Sequence, residues 1–237
     1  MWPNMRSRGR LTGLFLLVPW AMFGMAASTA VMVARSPRHT SNPVLSQRGR
    51  GLGAFSQRTR GYTFLSFDES GSSPIRIDPC AGPIVLRYNS TGEPYSLDQT
   101  LQFVANEVEK ALGHRVVVSQ KAPETAIVIS VDWVPTSAYL SHPHPLALAE
   151  TEPKIQGSRI VGGSIQLVAR APRGIVSPGI GPGAIGTVLA HEVGHAVGLD
   201  HVNDEREIMN PTHVLTKDAV FGPGDTRGLQ ILGGVCK

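Results

Sequence analysis

Apolar positions along this 237-residue chain fall into three patterns, each predicting a different kind of element. An uncharged apolar run fills residues 11–34, too continuous for an amphipathic surface element. Between 96 and 112, Leu97, Leu101, Val104, Val108 and Leu112 recur at helical spacing along one face. Ser96 opens that segment, Gln99 stands three residues on as in a capping box, and Gly113 supplies the stop. The other apolar runs are short and rich in β-branched residues, so 84–88, 115–118, 126–133 and 159–169 read as strands. The third is nearly continuous in Ala, Val and Ile, the signature of a central strand buried on both faces. A weaker strand, 145–151, is flanked by prolines that suit a sheet edge, and Gly162-Gly163 marks a bulge or a close backbone approach.

Strand, helix and strand over 84–118 predict a parallel crossover unit. A Gly- and Pro-rich loop runs to Gly183, and a helix follows from about Ala184. Gly222-Pro223-Gly224-Asp225 opens a short final helix carrying Leu229 and Leu232, and no internal repeat interrupts this order.

Charge changes the picture at the N-terminus. The formal net charge of +4 is unevenly spread, since residues 1–60 hold nine of the 22 Lys and Arg and no acid. Residues 61–237 are therefore about −5 and offer no nucleic-acid patch. Arg6, Arg8 and Arg10 followed by the apolar run make residues 1–34 an export signal, either cleaved near Ser28-Thr29-Ala30 or retained as a membrane anchor through residues 11–34. Residues 35–60, rich in Arg, Ser, Gly, Pro and Gln, read as a flexible basic linker or pro-segment. This leaves 61–237 as the folded domain, outside the cell whether released or anchored. Its two cysteines, Cys80 and Cys236, are expected to form a disulfide in an exported chain.

The chemistry sits in His191-Glu192-Val193-Gly194-His195-Ala196-Val197-Gly198-Leu199-Asp200-His201. Histidines four apart on a helix stack on one face and can share a metal ion, which makes His191 and His195 two ligands. A third ligand must approach from another direction, so Gly198 is expected to take a positive φ, end the helix and return His201 to the metal. Three protein ligands leave a fourth position for water, the mark of a catalytic zinc site. Glu192, beside the first ligand, is placed as general base.

This extended pattern, followed by Ile208-Met209-Asn210-Pro211, resembles the metzincin zinc metalloproteases. The order of elements, Asp78-Pro79-Cys80 before the first strand and the Gly-Asp-x-x-Gly-Leu pattern at 224–229 are similar to the matrixin branch, particularly its short secreted bacterial members. The resemblance implies an α+β domain: a mixed twisted sheet with one antiparallel edge strand, two long helices and a C-terminal helix. It implies one catalytic Zn2+, with Met209 as an apolar floor under the ligands and Gly198 as structural support. It also implies a monomeric endopeptidase for extracellular or envelope proteins, in which Glu192 activates a water on the zinc. A peptide would lie along the edge strand at 145–151, and residues 211–214 would wall the specificity pocket. The competing reading is a zinc-bearing surface protein that binds without turnover.

Several residues stay outside this scheme. Val202 stands where animal matrixins commonly carry serine, and neither a structural Ca2+ nor a second Zn2+ is supported. His142 and His144 are the only second-metal candidates and read better as an exposed loop. His213 is either an extra electrophile or a surface histidine, and Asp200 either orients a neighbour or faces solvent. Pro79-Cys80-Ala81-Gly82-Pro83 is faintly similar to the inhibitory cysteine switch of matrixin propeptides, but Cys80 abuts the first strand rather than preceding the domain.

Overall fold

The structure, a computed structural model, describes residues 61–142, 147–170, 176–212 and 214–236. The proposed leader at 11–34, the basic segment at 35–60, His144 and His213 lie outside the described residues. No helix among the described residues is long and apolar enough to cross a membrane.

In chain order the elements are β1 (Arg76–Ile77), β2 (Ile84–Tyr88), α1 (Asp98–Leu112), β3 (Val116–Val118), β4 (Ile127–Val134), β5 (Ala149–Gln156), β6 (Arg159–Val168), α2 (Ile185–Ala196) and α3 (Pro223–Gly233). Short 3-10 turns occupy Ser137–Tyr139 and Val214–Thr216. β2 pairs in parallel with both β3 and β4, so the segment from β2 through α1 to β3 is the expected crossover unit. β6 is the spine of the remainder. It pairs in parallel with β1 at 159–160 and with β4 over 162–168, while β5 runs antiparallel along its other side. This is the α+β arrangement expected, with β5 as the antiparallel edge.

Three sequence expectations need correction. The edge strand is Ala149–Gln156 rather than 145–151, because its antiparallel pairing with β6 continues to Gln156↔Arg159 and Pro153 is tolerated within it. β4 is central but not buried on both faces: Ile127, Ile129, Val131 and Trp133 are buried while the residues between them are half-buried. Its side chains alternate, and only one face meets the core that α1 and α2 supply. The capping box at Ser96 and Gln99 does not form; α1 begins at Asp98 with Leu97 at the cap and no side-chain cap bond. Ser96 instead bonds locally to Asp98, its hydroxyl accepting the Asp98 N–H at 3.4 Å.

Gly113 ends α1 in the left-handed region, as its position predicts. At Gly162-Gly163 the reading of close approach holds. A Cβ on Gly162 would lie 2.7 Å from the Val128 carbonyl oxygen, and one on Gly163 2.9 Å from that of Glu152. The bulge reading holds as well: Lys154 pairs with Gly162 and Ile155 with Ile160, so the extra residue of this hairpin is Val161 on β6, next to Gly162. Cys80 and Cys236 are joined as expected, tying the segment after β1 to the C-terminal end across 156 residues of chain.

Candidate metal centre

Every residue of α2 is buried, so the helix that carries the motif is a core element rather than a surface one. Its N-terminus has no side-chain cap. The loop before it serves instead: Ser177 and Gly179 offer their carbonyls to the N–H groups of Ile185 and Gly186, each at 2.9 Å. The C-terminus closes as a Schellman motif, Leu199 N–H bonding the Gly194 carbonyl at 2.9 Å and Gly198 N–H that of His195 at 3.0 Å. Gly198 makes this possible with φ at +116°. The stretch just past it is clamped from the domain's N-terminal side. Leu65 N–H reaches the Gly198 carbonyl and Asp200 N–H the Thr63 carbonyl, both at 2.9 Å. Asp200 then accepts the His201 N–H at 2.8 Å, so it orients its neighbour.

These turns bring three imidazoles together. The Nε2 atoms of His191, His195 and His201 are 3.0 to 3.1 Å from one another. His191 Nδ1–H donates to the Ile208 carbonyl at 2.7 Å and His195 Nδ1–H to the Leu199 carbonyl at 2.8 Å. With Nδ1 as donor, each of those neutral rings presents a bare Nε2 lone pair to the centre. Burial, and secondarily His195, pushes His191 down to about 3, and burial also lowers His195, so both stay in the neutral, ligating form. Bare acceptors facing each other cannot satisfy one another, but a cation between them would. Tetrahedral bonds of 2.0–2.1 Å place ligand nitrogens roughly 3.3 Å apart, close to the separation found. The donor set therefore fits a metal ion. It is the one cluster of three or more His, Cys, Asp or Glu side chains among the described residues that could hold one.

Glu192 follows His191 on α2 and is 1 % exposed. Its Oε2 accepts the Thr151 hydroxyl at 2.5 Å, whereas Oε1 is buried with no hydrogen-bond partner. Burial raises its carboxyl to about 8, with Glu150 adding to the rise and the Thr151 bond opposing it. A neighbouring divalent cation acts against that rise by favouring the ionised form.

Met209 follows on the same turn as Ile208, its carbonyl accepting the Val202 N–H at 3.2 Å. Met209 packs against the helix only because residue 194 is glycine: a Cβ there would fall 2.6 Å from the thioether sulfur. Underneath, the fully buried Asp225 takes the Ile208 N–H at 2.6 Å and the Met209 N–H at 3.4 Å on Oδ2. Asp225 N–H in turn donates to Glu207 Oε2 at 2.8 Å. The chain of contacts thus runs from the start of α3 through the methionine turn to His191.

Sequence reasoning missed Thr151, Gly194, Glu207 and Asp225. The acid at 225 reads locally as a first-turn residue of α3, and nothing in one sequence links it to residues sixteen or seventeen positions away. His142 also has a role not foreseen. Its Nδ1 pairs with the buried Glu150 at 2.7 Å, and Glu150 takes the N–H groups of Ser141 and His142 as well, at 2.7 and 3.3 Å. The edge strand's carboxylate therefore fastens the loop before it.

The family model described as Matrixin matches residues 182–234. No curated protein matches the chain. Among solved structures it is similar to metalloproteinase-II from Bacteroides fragilis, at 12% identity and a TM-score of 0.38, over 69% of this chain and 58% of that one. The chain spans less than two thirds of that protein's length. The matched segment, which holds the three histidines, the methionine turn and the final helix, is what this chain shares with the matrixins.

Proposed function

We propose that the chain is a zinc-dependent endopeptidase acting on extracellular or envelope proteins, exported and either released or held at the membrane through residues 11–34. One observation carries this reading: three converging imidazole nitrogens stand beside a buried glutamate that keeps one oxygen without a partner. His191, His195 and His201 would hold the ion, with the Ile208 and Leu199 carbonyls fixing the first two rings. Zinc, when bound, polarises a scissile carbonyl and lowers the pKa of water from 15.7 to about 7. Glu192 Oε1 takes the proton of the attacking water and returns it to the leaving amine. Among the described residues β5 pairs with β6 alone, and its other side would take an extended peptide by strand addition. Its first residues, Ala149 to Thr151, are the ones nearest the centre, since Thr151 touches Glu192. Residues 211–214 would wall the specificity pocket. The domain works as a monomer.

The test is degradation of casein and of a peptide library by the metal-replete protein, with and without a chelator, beside Glu192→Ala. Cleavage that chelator and Glu192→Ala both abolish, with one zinc per chain by elemental analysis, is the expected result. Equal cleavage by wild type and Glu192→Ala would remove the assigned base. No cleavage by zinc-loaded wild type would favour a zinc-bearing binding protein.

A further inference from the structure

Glu192 has two carboxylate oxygens in different surroundings, and the difference comes from a single residue of the edge strand. Thr151 is 1 % exposed, and its hydroxyl lies 2.5 Å from Glu192 Oε2 and 3.2 Å from the Glu192 carbonyl oxygen. A hydroxyl has one proton to donate, and the shorter contact, to the carboxylate, is the one that holds it. Oε1 is buried and bonds to nothing. We infer that Thr151 is a positioning residue for the peptidase reaction: by occupying Oε2 it fixes the Glu192 side chain and leaves Oε1 as the oxygen that exchanges protons with water and leaving amine. This deepens the peptidase reading and rests on it.

The placement of Thr151 adds a second consequence. It belongs to β5, which pairs with β6 through Thr151↔Ile165 and with no other strand among the described residues. A peptide that adds to β5 would lie along the strand that carries this hydroxyl. Substrate docking and orientation of the base are thus linked through one hydroxyl. The neighbouring residue cannot substitute, because Glu150 is already held by the N–H groups of Ser141 and His142 and by the His142 ring.

Thr151→Val removes the hydroxyl at nearly constant shape, and Thr151→Ser restores it. With a peptide found by the library screen, Thr151→Val is expected to lower kcat by about 10- to 100-fold, part of the 10²–10⁴ typical of general acid–base catalysis. KM should change less than about threefold, zinc content should stay at one per chain, and Thr151→Ser should recover kcat to within about threefold. Proton NMR supplies a readout that does not depend on turnover. The zinc-loaded wild type should show a slowly exchanging hydroxyl proton downfield of its usual range, absent from Thr151→Val and shifted in Glu192→Gln. Wild-type kcat in zinc-loaded Thr151→Val would overturn the proposal, as would loss of kcat in Thr151→Ser equal to that in Thr151→Val. Lack of the hydroxyl resonance in the wild type would do the same. Failure of the peptidase reading looks different, because there the wild type itself turns nothing over.

Discussion

Asp225 lets the support beneath the histidine cluster be tested without touching an imidazole. Its side chain is fully buried and bonds the Ile208 and Met209 N–H groups through Oδ2, while Oδ1 has no partner. Burial, and then Glu207, raises its carboxyl to about 7 against an ordinary 3.8. The folded protein therefore holds a proton that the unfolded chain releases at lower pH. Where the folded state binds more protons, stability falls as pH rises. This contribution is fully present below about pH 4 and is lost as pH climbs to about 7. A pKa unit corresponds to 1.36 kcal/mol, so the span is about 4 kcal/mol at most, and about 2 to 3 kcal/mol of it lies between pH 5 and pH 8. Asp225→Asn keeps an oxygen for the two N–H groups and cannot ionise. Urea unfolding of the metal-free, disulfide-intact wild type and variant at pH 5, 6, 7 and 8 is the assay. His191, His195 and Glu192 also titrate abnormally, His191 and His195 with the opposite sign, but they are common to both proteins and cancel in the difference. The variant should gain on the wild type by about 2 to 3 kcal/mol across that range. A difference flat to about 0.5 kcal/mol would refute the argument, because Asp225 would then ionise in the fold as it does in the unfolded chain.

Reducing Cys80–Cys236, or replacing Cys236 by serine, opens a loop of 156 residues and should cost up to about 5 kcal/mol in the chain-entropy model, seen as a lower melting temperature that reductant no longer changes in the variant. Gly198→Ala puts a side chain at φ +116° with its Cβ 3.2 Å from Ile160, Ile75 and Leu232 atoms; a loss of about 1–3 kcal/mol by urea unfolding and weaker zinc retention during dialysis against a chelator should follow. Removing zinc from the loaded protein should lower its melting temperature in proportion to the binding free energy, and His195→Ala should abolish that response.

The order of elements was legible because it rests on local signals. Period, β-branching and glycine position place α1, α2, β2 and the crossover unit within a residue or two. What escaped depends on partners distant in sequence. Nothing near residue 149 announces that β5 continues to Gln156, since its second half is Glu-Pro-Lys-Ile-Gln, polar and weak in strand propensity. Pairing with β6 overrides that composition. Likewise β4 looks like a strand buried on both faces because Val128 and Val134 are as apolar as Ile129, yet only tertiary packing decides which face meets the helices.

The site divides along the same line. His191, His195, Gly198 and His201 form a local device, a helix ended by a Schellman turn, so spacing alone predicts their convergence. The place of Glu192 next to the first histidine was equally legible, but not which of its oxygens lacks a partner, because that is set by Thr151 forty-one residues earlier. Gly194 shows how a motif position can carry two unrelated demands. Within the motif it reads as a spacer between ligands, and in a helix interior glycine costs about 1 kcal/mol relative to alanine. The cost is tolerated because a Cβ at 194 would fall 2.6 Å from the Met209 sulfur, so the floor and the helix can meet only with that side chain missing. Met209 is held from below through Asp225 and Glu207, and His191 is held through Ile208 on the same turn. The histidine cluster and the methionine turn are thus one packed unit, in which the distant acids set where the turn lies and the turn sets the orientation of the first imidazole.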